Sequence, residues 1–358
     1  MARTGTHTLD DLLAVQDQSV IAYGEDTVAE TVTNELDQFS QQVEMALADI
    51  AEITPDRQRR YGTTEGADMI ELDELGSPAA QKVKGGSPVG FPMHKVGHGI
   101  GFTRDWLVQH TPRDAALQVV AREKGYLAWI LKLIRVALFN AVNYTFEDRF
   151  GQNPGVELAV KALVNGDGAG IPRGPNNEVF SPVTHSHFHA VNWATATPAE
   201  RNASALALVV DVVEHGNAED VVVYINVNDE KGWTDLEDFK PLQEVGIKIA
   251  DGQIETTRLD QSVTNNRQVG TFRGAAVWVK PWIPENYAAA LNLSAPDKPL
   301  VWRVHNVESM RGLRLAAMLD SYPLRADLVE AYGGAGVYGR TSAAVLYTGG
   351  AVYTIPAL

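Results

Sequence analysis

The residues best suited to chemistry lie at 184–189, where the sequence reads THSHFH. His185, His187 and His189 alternate with other residues, and residues two apart in a β-strand face the same side. Imidazole nitrogen is a common ligand of zinc, copper and iron. The pattern therefore raises the hypothesis of a metal site, and with it of a soluble enzyme whose metal is held by histidines.

The spacing of these histidines limits how many could bind one ion. An ideal strand advances about 3.3 Å per residue, so His185 and His189 would stand roughly 13 Å apart. At most an adjacent pair and a ligand from a distant part of the chain could share a metal. No carboxylate follows at the spacing of a cupin site, and an HExxH helix is absent. We therefore predict no metal, cofactor or catalytic residue, and keep His185, His187 and His189 as the lesser alternative.

The composition predicts a soluble globular protein with a substantial core. The chain has 358 residues, of which 45% are hydrophobic and 21% are charged. It contains no cysteine, which excludes disulfides, thiolate metal sites and cysteine nucleophiles. No apolar run is long enough for a membrane span, and the opening MARTGTHTLDD lacks the regions of a signal peptide. We expect an intracellular product without a membrane partner.

The formal net charge is −15, and it is concentrated at one end of the chain. Residues 1–56 carry twelve acidic side chains and one basic one, Arg3, which leaves only −4 for the other 302 residues. An acidic surface repels phosphate backbones, so sequence-specific binding of nucleic acid is not expected.

Three helices are predicted from apolar spacing and from their caps. Apolar residues at steps of three and four predict an amphipathic helix over 28–50, preceded by a polar, irregular segment over 1–26. A helix over 112–140 has Thr111 as its cap, and at nearly thirty residues it would be roughly 40 Å long. A third helix begins after Thr197.

A long loop precedes the 112–140 helix. Residues 59–101 include the Gly- and Pro-rich run GSPAAQKVKGGSPVGFP, and loops of this length are unusual inside a compact domain. The flanks ADMIELDEL and MHKVGHGIGFT look extended, which predicts a long two-stranded projection. Such a hairpin is only marginally stable alone, so it should lie on a neighbour.

The C-terminal third is predicted to be rich in strands. VVVYINVN, GAAVWVK and LVWRVH are extended segments, and SAAVLYTGGAVYTIP predicts a hairpin around Gly349 and Gly350. From Ala331 to Leu358 the only charged residue is Arg340, so this stretch should be buried in the subunit or by a neighbour. Segregated helices and hairpin strands together indicate an α+β fold.

The glycine-rich segment LVNGDGAGIPRG invites comparison with a nucleotide-binding loop. Its pattern is GxGxG, with Ile171 where the dinucleotide fingerprint needs glycine, and it lacks the Lys-Ser/Thr pair of a phosphate loop. We expect a structured turn here.

The order of these segments resembles the major capsid proteins of tailed bacteriophages. NGDGAGIPRG, at Asn165–Gly174, is similar to the glycine-rich segment that follows the long spine helix in that family. HKVGHGIGFTRDWL resembles the junction of the E-loop, an extended β-hairpin, with the spine helix. DVVVYINVNDEKGWTDLEDF resembles a strand and turn of the axial (A) domain, and YPLRADLVEAYGGAGVYGRTSAAVLY a terminal return into the peripheral (P) domain.

This resemblance covers nearly the whole chain and implies the fold and its divisions. The fold would be α+β, with an N-terminal arm, an E-loop, a spine helix, a P-domain and an A-domain. The implied divisions are an N-terminal arm with an amphipathic helix at 1–58, an E-loop at 59–104, a P-domain at 105–188 with its spine helix at 112–140, an A-domain at 189–325, and a return to the P-domain sheet at 326–358.

The resemblance also implies a structural function rather than an enzymatic one. Copies would assemble as pentamers and hexamers into an icosahedral shell that encloses double-stranded phage DNA without sequence-specific binding. Its acidic character would keep the DNA from adhering. The partners would be portal, scaffolding and decoration proteins, and the protein would reside in the virion after assembly in the host cytoplasm. An encapsulin-like compartment, with the same fold around an enzyme, is the alternative.

Within the E-loop we expect apolar residues to contact an adjacent subunit, because ordering a backbone costs about 1–2 kcal/mol per residue. The expected contact residues are Met69, Ile70, Phe91, Met93 and Ile100.

Some members of the family crosslink their subunits through an isopeptide bond between an E-loop lysine and an asparagine, assisted by a glutamate. Lys82 and Lys84 lie in this E-loop, but the asparagine and the glutamate have no match in the sequence. We therefore expect these two lysines to be solvated.

Overall fold

Long helices, two mixed β-sheets and three two-stranded sheets make up the part of the fold that the structure describes. A computed structural model describes residues 7–62, 71–72, 74, 76, 86–150, 154–216, 219–242, 247–248, 254–255 and 266–357. The helices are α1 (Leu9–Ala14), α2 (Val20–Tyr23), α3 (Glu25–Ile50), α4 (Arg104–Gln109), α5 (Pro112–Phe139), α6 (Pro198–Val213) and α7 (Glu230–Thr234), with 3₁₀ turns at Val227–Asp229 and Glu308–Met310. None of the described helices has both the length and the apolar character that crossing a bilayer requires.

The strands follow the same chain order. They are β1 (Ala51–Thr54), β2 (Gln58–Tyr61), β3 (Ser87–Gly90), β4 (His94–Thr103), β5 (Tyr144–Asp148), β6 (Val156–Val160), β7 (Phe188–Ala190), β8 (Val221–Ile225), β9 (Phe239–Pro241), β10 (Ile247–Lys248), β11 (Ile254–Glu255), β12 (Arg267–Phe272), β13 (Ala275–Val279), β14 (Tyr287–Asn292), β15 (Leu300–Arg303), β16 (Gly312–Ser321), β17 (Leu324–Val337) and β18 (Ala343–Tyr347).

The spine helix α5 confirms the prediction for 112–140. The Thr111 hydroxyl accepts a hydrogen bond from the Asp114 N–H, and the Asp114 carboxylate accepts one in return from the Thr111 N–H, which completes a capping box. The helix has 28 residues and is about 42 Å long. It buries a stripe at intervals of three, four or seven residues: Ala116, Val119, Tyr126, Ile130, Ile134 and Leu138.

A five-stranded sheet is built around β17. The first ten residues of β17 lie between β16 and β4, and its last four pair with β15. β15 in turn pairs in parallel with β1. Helices α3 and α5 pack on this sheet and share the largest hydrophobic core with it.

A seven-stranded sheet has the order β7-β18-β14-β8-β13-β12-β9. The β7–β18 and β8–β13 pairs are parallel, and the other neighbours are antiparallel. Helix α6, capped by Thr197 as predicted, covers one face of this sheet and forms a second core with it.

The N-terminal segment differs from the irregular arm predicted over 1–26. Residues 9–23 include α1 and α2, and their apolar side chains pack into the subunit core. Leu12 is 0% exposed and Tyr23 is 2% exposed. These helices are short and lie among polar residues, so their apolar spacing did not stand out in the sequence and the segment was predicted to be irregular. Helix α3 confirms the prediction for 28–50.

The C-terminal segment confirms one prediction in part and corrects another. Residues 331–346 are almost entirely buried within the subunit, one of the two expected alternatives, whereas Val352 and Ile355 are 76% and 46% exposed. The hairpin predicted around Gly349 and Gly350 is wrong, because residues 348–357 form no strand and β18 pairs with β14 and β7 instead.

Two sheet assignments cross the implied domain divisions. β15 and β16 fall within 189–325 but belong to the five-stranded sheet, whereas β18 falls within 326–358 but belongs to the seven-stranded sheet. The chain therefore passes between the two sheets twice after β14.

A buried carboxylate joins three parts of the fold. Asp148, which is 0% exposed, accepts hydrogen bonds from Arg57 (3.0 Å) and from Arg303 on β15 (2.9 Å). Arg303 also donates to the Phe91 carbonyl at 2.9 Å. Burial would raise the pKa of Asp148, but hydrogen bonds from Arg303, from the Phe150 N–H and from Arg57 hold that pKa below its ordinary value.

A second ion pair, in which the arginine is buried, accounts for the single charge of the C-terminal stretch. Arg340, which is 2% exposed, donates to the Ala162 carbonyl and lies 3.2 Å from Asp167 in the glycine-rich segment. Lys161 also contacts Asp167, at 2.9 Å. Burial opposes ionisation of Asp167, but the Lys161 hydrogen bond and the Arg340 charge lower its pKa to about 2. The glycine-rich segment is thus a structured turn around an ion pair.

Replacing Asp148 tests the first of these sites. The Asp148→Asn protein should lose about 3–5 kcal/mol of unfolding free energy, because two guanidinium groups would lose their shared counter-charge. Urea unfolding followed by circular dichroism measures this loss. Glu147→Gln, at a side chain 57% exposed, should change the free energy by no more than about 0.5 kcal/mol. Equal effects of the two substitutions would contradict the assignment.

The second site predicts a pH dependence. The pKa of Asp167 is about 2 in the folded chain and about 3.9 in an unfolded one, so its stabilisation is complete above the higher value and is lost as the pH falls through the lower one. The Asp167→Asn protein should be less stable than the wild type at pH 7, and the difference should shrink between about pH 4 and about pH 2. Urea unfolding at stepped pH measures it.

The control for this experiment is Asp235→Asn, at an exposed ion pair with Lys231. It should change the free energy of unfolding little at any pH. A difference between Asp167→Asn and wild type that stays constant down to pH 2 would refute the prediction.

Candidate assembly surface and histidine cluster

The base of the E-loop is described, whereas most of its interior lies outside the described residues. β2 and β3 pair at the base, with Gln58 opposite Gly90. The returning flank forms β4, which pairs with β17 rather than with the other flank. The two-stranded projection is therefore wrong for residues 94–103. Lys82 and Lys84 lie outside the described residues.

The predicted contact residues separate into three groups. Phe91 and Met93 are 0% and 1% exposed inside their own subunit, so the prediction that they contact a neighbour is wrong. Ile100 is half-buried against the main core of its own chain. Met69 and Ile70 lie outside the described residues, and their contact with a neighbour stays a prediction.

The E-loop base is buried because β17 allows an unusually close approach. A Cβ atom at Gly334 would overlap the Pro92 carbonyl oxygen, so only glycine lets this loop lie flat on the strand. Phe91 then packs with Tyr61, Val89 and Val301 in a small core of its own. The loop's apolar residues near its base therefore fasten it to its own subunit.

One face of the segment formed by β16, the first half of β17 and β4 is apolar and exposed. Directly paired residues share a face, which places Leu319, Leu324 and Leu328 beside Gly99 and Gly101. The three leucines are 55%, 56% and 37% exposed. We call these five residues the open face.

The opposite face of the same strands is closed by ion pairs. Arg325 contacts Glu25 of α3 at 3.1 Å, and Arg104 contacts Asp320 at 3.1 Å. The opposite face therefore packs on the helices, whereas the face with the three leucines is turned to solvent.

The histidines of the THSHFH motif separate in the structure. Only residues 188–190 form a strand, so His185 and His187 lie in the irregular segment before it. His189 contacts Asp211 on α6 at 2.5 Å. His185 and His187 turn instead towards His215, just beyond the end of α6.

The three converging imidazoles and Glu214 form the histidine cluster: His185, His187, His215 and Glu214. The Nε2 atoms of His185, His187 and His215 are 3.1–3.2 Å apart, and Glu214 Oε1 is 3.3 Å from His185 Nε2. His185 and His187 are neighbours in the motif, and His215 and Glu214 come from a distant part of the chain.

Burial keeps these imidazoles neutral. It lowers the pKa of His187 well below its ordinary value, and burial together with the nearby His185 lowers the pKa of His215 to about 4. Burial also lowers the pKa of His185, and it raises the pKa of Glu214, with Asp211 adding to the effect. At neutral pH the three rings are therefore in the form that can bind a metal.

Sequence reasoning missed His215, Glu214 and the open face. His215 and Glu214 follow THSHFH by nearly thirty residues, and only the packing of α6 brings them to it. The open face did leave a trace in HKVGHGIGFT, where glycine at every second position strips one side of a strand of side chains.

Comparison with known proteins finds similarity at the level of structure. No family model matches the sequence, and no curated protein sequence matches it. A chain from Mycobacterium phage Patience is 17% identical, with a TM-score of 0.65 over 99% of this chain and 96% of that one. A chain from the capsid of an empty GTA particle is 10% identical, with a TM-score of 0.50 over 85% and 89%.

A chain of the holo-SrpI encapsulin complex from Synechococcus elongatus PCC 7942 is 12% identical, with a TM-score of 0.44 over 86% of this chain and 87% of that one. The full-length match at a TM-score of 0.65 covers the spine helix and both sheets. The chain therefore has the α+β fold of tailed-phage capsid proteins, as the order of its sequence segments predicted.

Proposed function

We propose that the chain is the major capsid protein of a tailed bacteriophage. Copies of it assemble as pentamers and hexamers into an icosahedral shell around double-stranded DNA. The observation that carries this proposal is the fold, which is shared along 99% of this chain and 96% of the phage chain. A likeness that covers nearly all of both chains supports the same structural use of the subunit.

The charge of the chain supports DNA as cargo rather than as a bound ligand. A net charge of −15 disfavours tight adhesion to phosphates, so packaged DNA can move along the inner wall. Portal, scaffolding and decoration proteins are the partners that such a shell would use. The protein would be made in the host cytoplasm and end in the virion, and its role would be structural rather than catalytic.

The open face is the surface that we assign to contact with a second copy of the chain. Burying a leucine side chain contributes about 1.5–3 kcal/mol, and the open face presents three leucines on one flat segment. Its glycines leave the backbone of β4 accessible to a neighbour. A projecting apolar surface is costly for a monomer in water and favourable for a subunit of a shell.

Assembly is the first outcome to test. The purified wild-type protein should form pentamers, hexamers or closed shells, seen by negative-stain electron microscopy and by light scattering after size exclusion. A monomer of 38.9 kDa at every concentration would contradict the proposal. Co-purifying enzyme instead of nucleic acid, after expression in the native host, would favour an encapsulin-like compartment.

Negative charges introduced on the open face should prevent assembly without preventing folding. The double substitution Leu319→Asp and Leu324→Asp should abolish closed shells, because two carboxylates would have to be desolvated at the contact. Circular dichroism should stay like that of the wild type, since both side chains are more than half exposed. Electron microscopy reports the loss of shells.

The matched control is Val179→Asp, which changes an exposed valine in a loop distant from β16 and β17 in the chain. It should leave shells intact. Normal shells from the double variant would remove the open face from the proposal without touching the fold.

A further inference from the structure

We propose that the histidine cluster binds one divalent transition-metal ion, with zinc as the best fit, and that the ion fastens the segment before β7 to the end of α6. The ligands would be His185, His187, His215 and Glu214. This inference is independent of the proposed function, because it concerns the stability of one subunit.

The distances suit a tetrahedral ion. Three nitrogen ligands at about 2.0–2.1 Å from a zinc ion are roughly 3.3–3.4 Å from one another. The Nε2 atoms of His185, His187 and His215 form a triangle with sides of 3.1, 3.1 and 3.2 Å. Glu214 Oε1 lies 3.3 Å from His185 Nε2 and 3.8 Å from His215 Nε2, on the scale of a fourth ligand. Small shifts of these side chains would complete the coordination.

Hydrogen bonds alone do not account for this triangle. His187 Nδ1 lies 2.7 Å from the Ala343 carbonyl, which can only accept, so Nδ1 carries the proton and Nε2 presents a lone pair. The other two rings can each direct at most one N–H inward, and that N–H can satisfy only one neighbour well. When three imidazole nitrogens point at one position, at least two lone pairs or two N–H groups face and repel each other. A cation that accepts all three lone pairs removes this repulsion.

Glu214 strengthens the case for a cation. Its Oε1 atom is buried and accepts no hydrogen bond from the described residues. A buried carboxylate oxygen without a donor is costly, and a metal ion would remove the cost. The donor set of three nitrogens and one oxygen is one that zinc accepts, and with four protein ligands the site would be closed to substrate.

The surroundings are those of a structural metal site. The Ala343 carbonyl of β18 orients the His187 ring, as a second partner of a metal-bound imidazole does. The Phe180 ring packs over His185 and His215, with ring centroids 4.9 and 4.1 Å away. The side chains of His187 and His215 are essentially inaccessible to solvent.

At this position a bound ion would stabilise a long irregular segment of the chain. Residues 161–187, all of them described, form neither helix nor strand between β6 and β7. An irregular segment of this length needs contacts that hold it to the rest of the subunit. The chain has no cysteine with which to make a disulfide. A metal bound by His187 and His215 would close this segment onto α6 as a covalent crosslink would.

The experiment uses untagged protein purified without chelator. Elemental analysis should find about one zinc ion per chain, and X-ray absorption should show only nitrogen and oxygen ligands at about 2.0–2.1 Å. Removing the metal with a chelator should lower the melting temperature of the wild type, and added zinc chloride should restore it. The absence of bound metal, together with a melting temperature that neither chelator nor zinc changes, would overturn the proposal.

Single substitutions locate the site. His215→Gln and His187→Gln should lose the zinc and the response of the melting temperature to chelator. His189→Gln, in the same motif but paired with Asp211, and His98→Gln, at an exposed position, should keep both. Retention of zinc by His215→Gln, or equal loss in His189→Gln, would also overturn the assignment. If a variant fails to fold, the wild-type melting temperatures with chelator and with added zinc still test whether the protein binds a metal.

Discussion

The ion-pair site at Asp148 is the interaction on which the arrangement of the subunit depends. One buried carboxylate holds Arg57, just before the E-loop, and Arg303 in the five-stranded sheet, and Arg303 also donates to the Phe91 carbonyl on the returning side of the loop base. Both sides of the E-loop base are thereby tied to the same charge. Because a buried charge tolerates neither loss of its partners nor much displacement, the position of the loop base is fixed relative to the sheet.

The two halves of β17 have different roles, one inside the subunit and one on its surface. At its C-terminal half, Gly334 admits the loop base so closely that Phe91 and Met93 become core residues. At its N-terminal half, one face of the strand contacts α3 through Arg325, and the other face presents Leu324 and Leu328 to solvent. One strand therefore both anchors the loop inside the subunit and offers an apolar surface outside it.

Local patterns predicted what local forces determine. The cap at Thr111 and the spacing of apolar residues defined α5 to within a residue, since capping and amphipathicity act over a few positions. Pairing between distant segments was not readable: β18 was expected in a terminal hairpin, and the partner of β4 was expected inside the E-loop. The histidine cluster could not be predicted from sequence for the same reason. His185 meets His215 only after α6 has packed on the seven-stranded sheet.

The order of strands in the two sheets has a consequence for protein synthesis. β17 lies between β16 and β4, and β18 lies between β14 and β7, although both come from the end of the chain. The five-stranded sheet cannot complete its backbone pairing until Val337 has left the ribosome, nor the seven-stranded sheet until Tyr347 has, so a nascent chain carries unpaired edges for most of translation. The open face needs β17 and does not exist before β17 has been made. Truncated and nascent chains thus lack the surface through which complete subunits would associate.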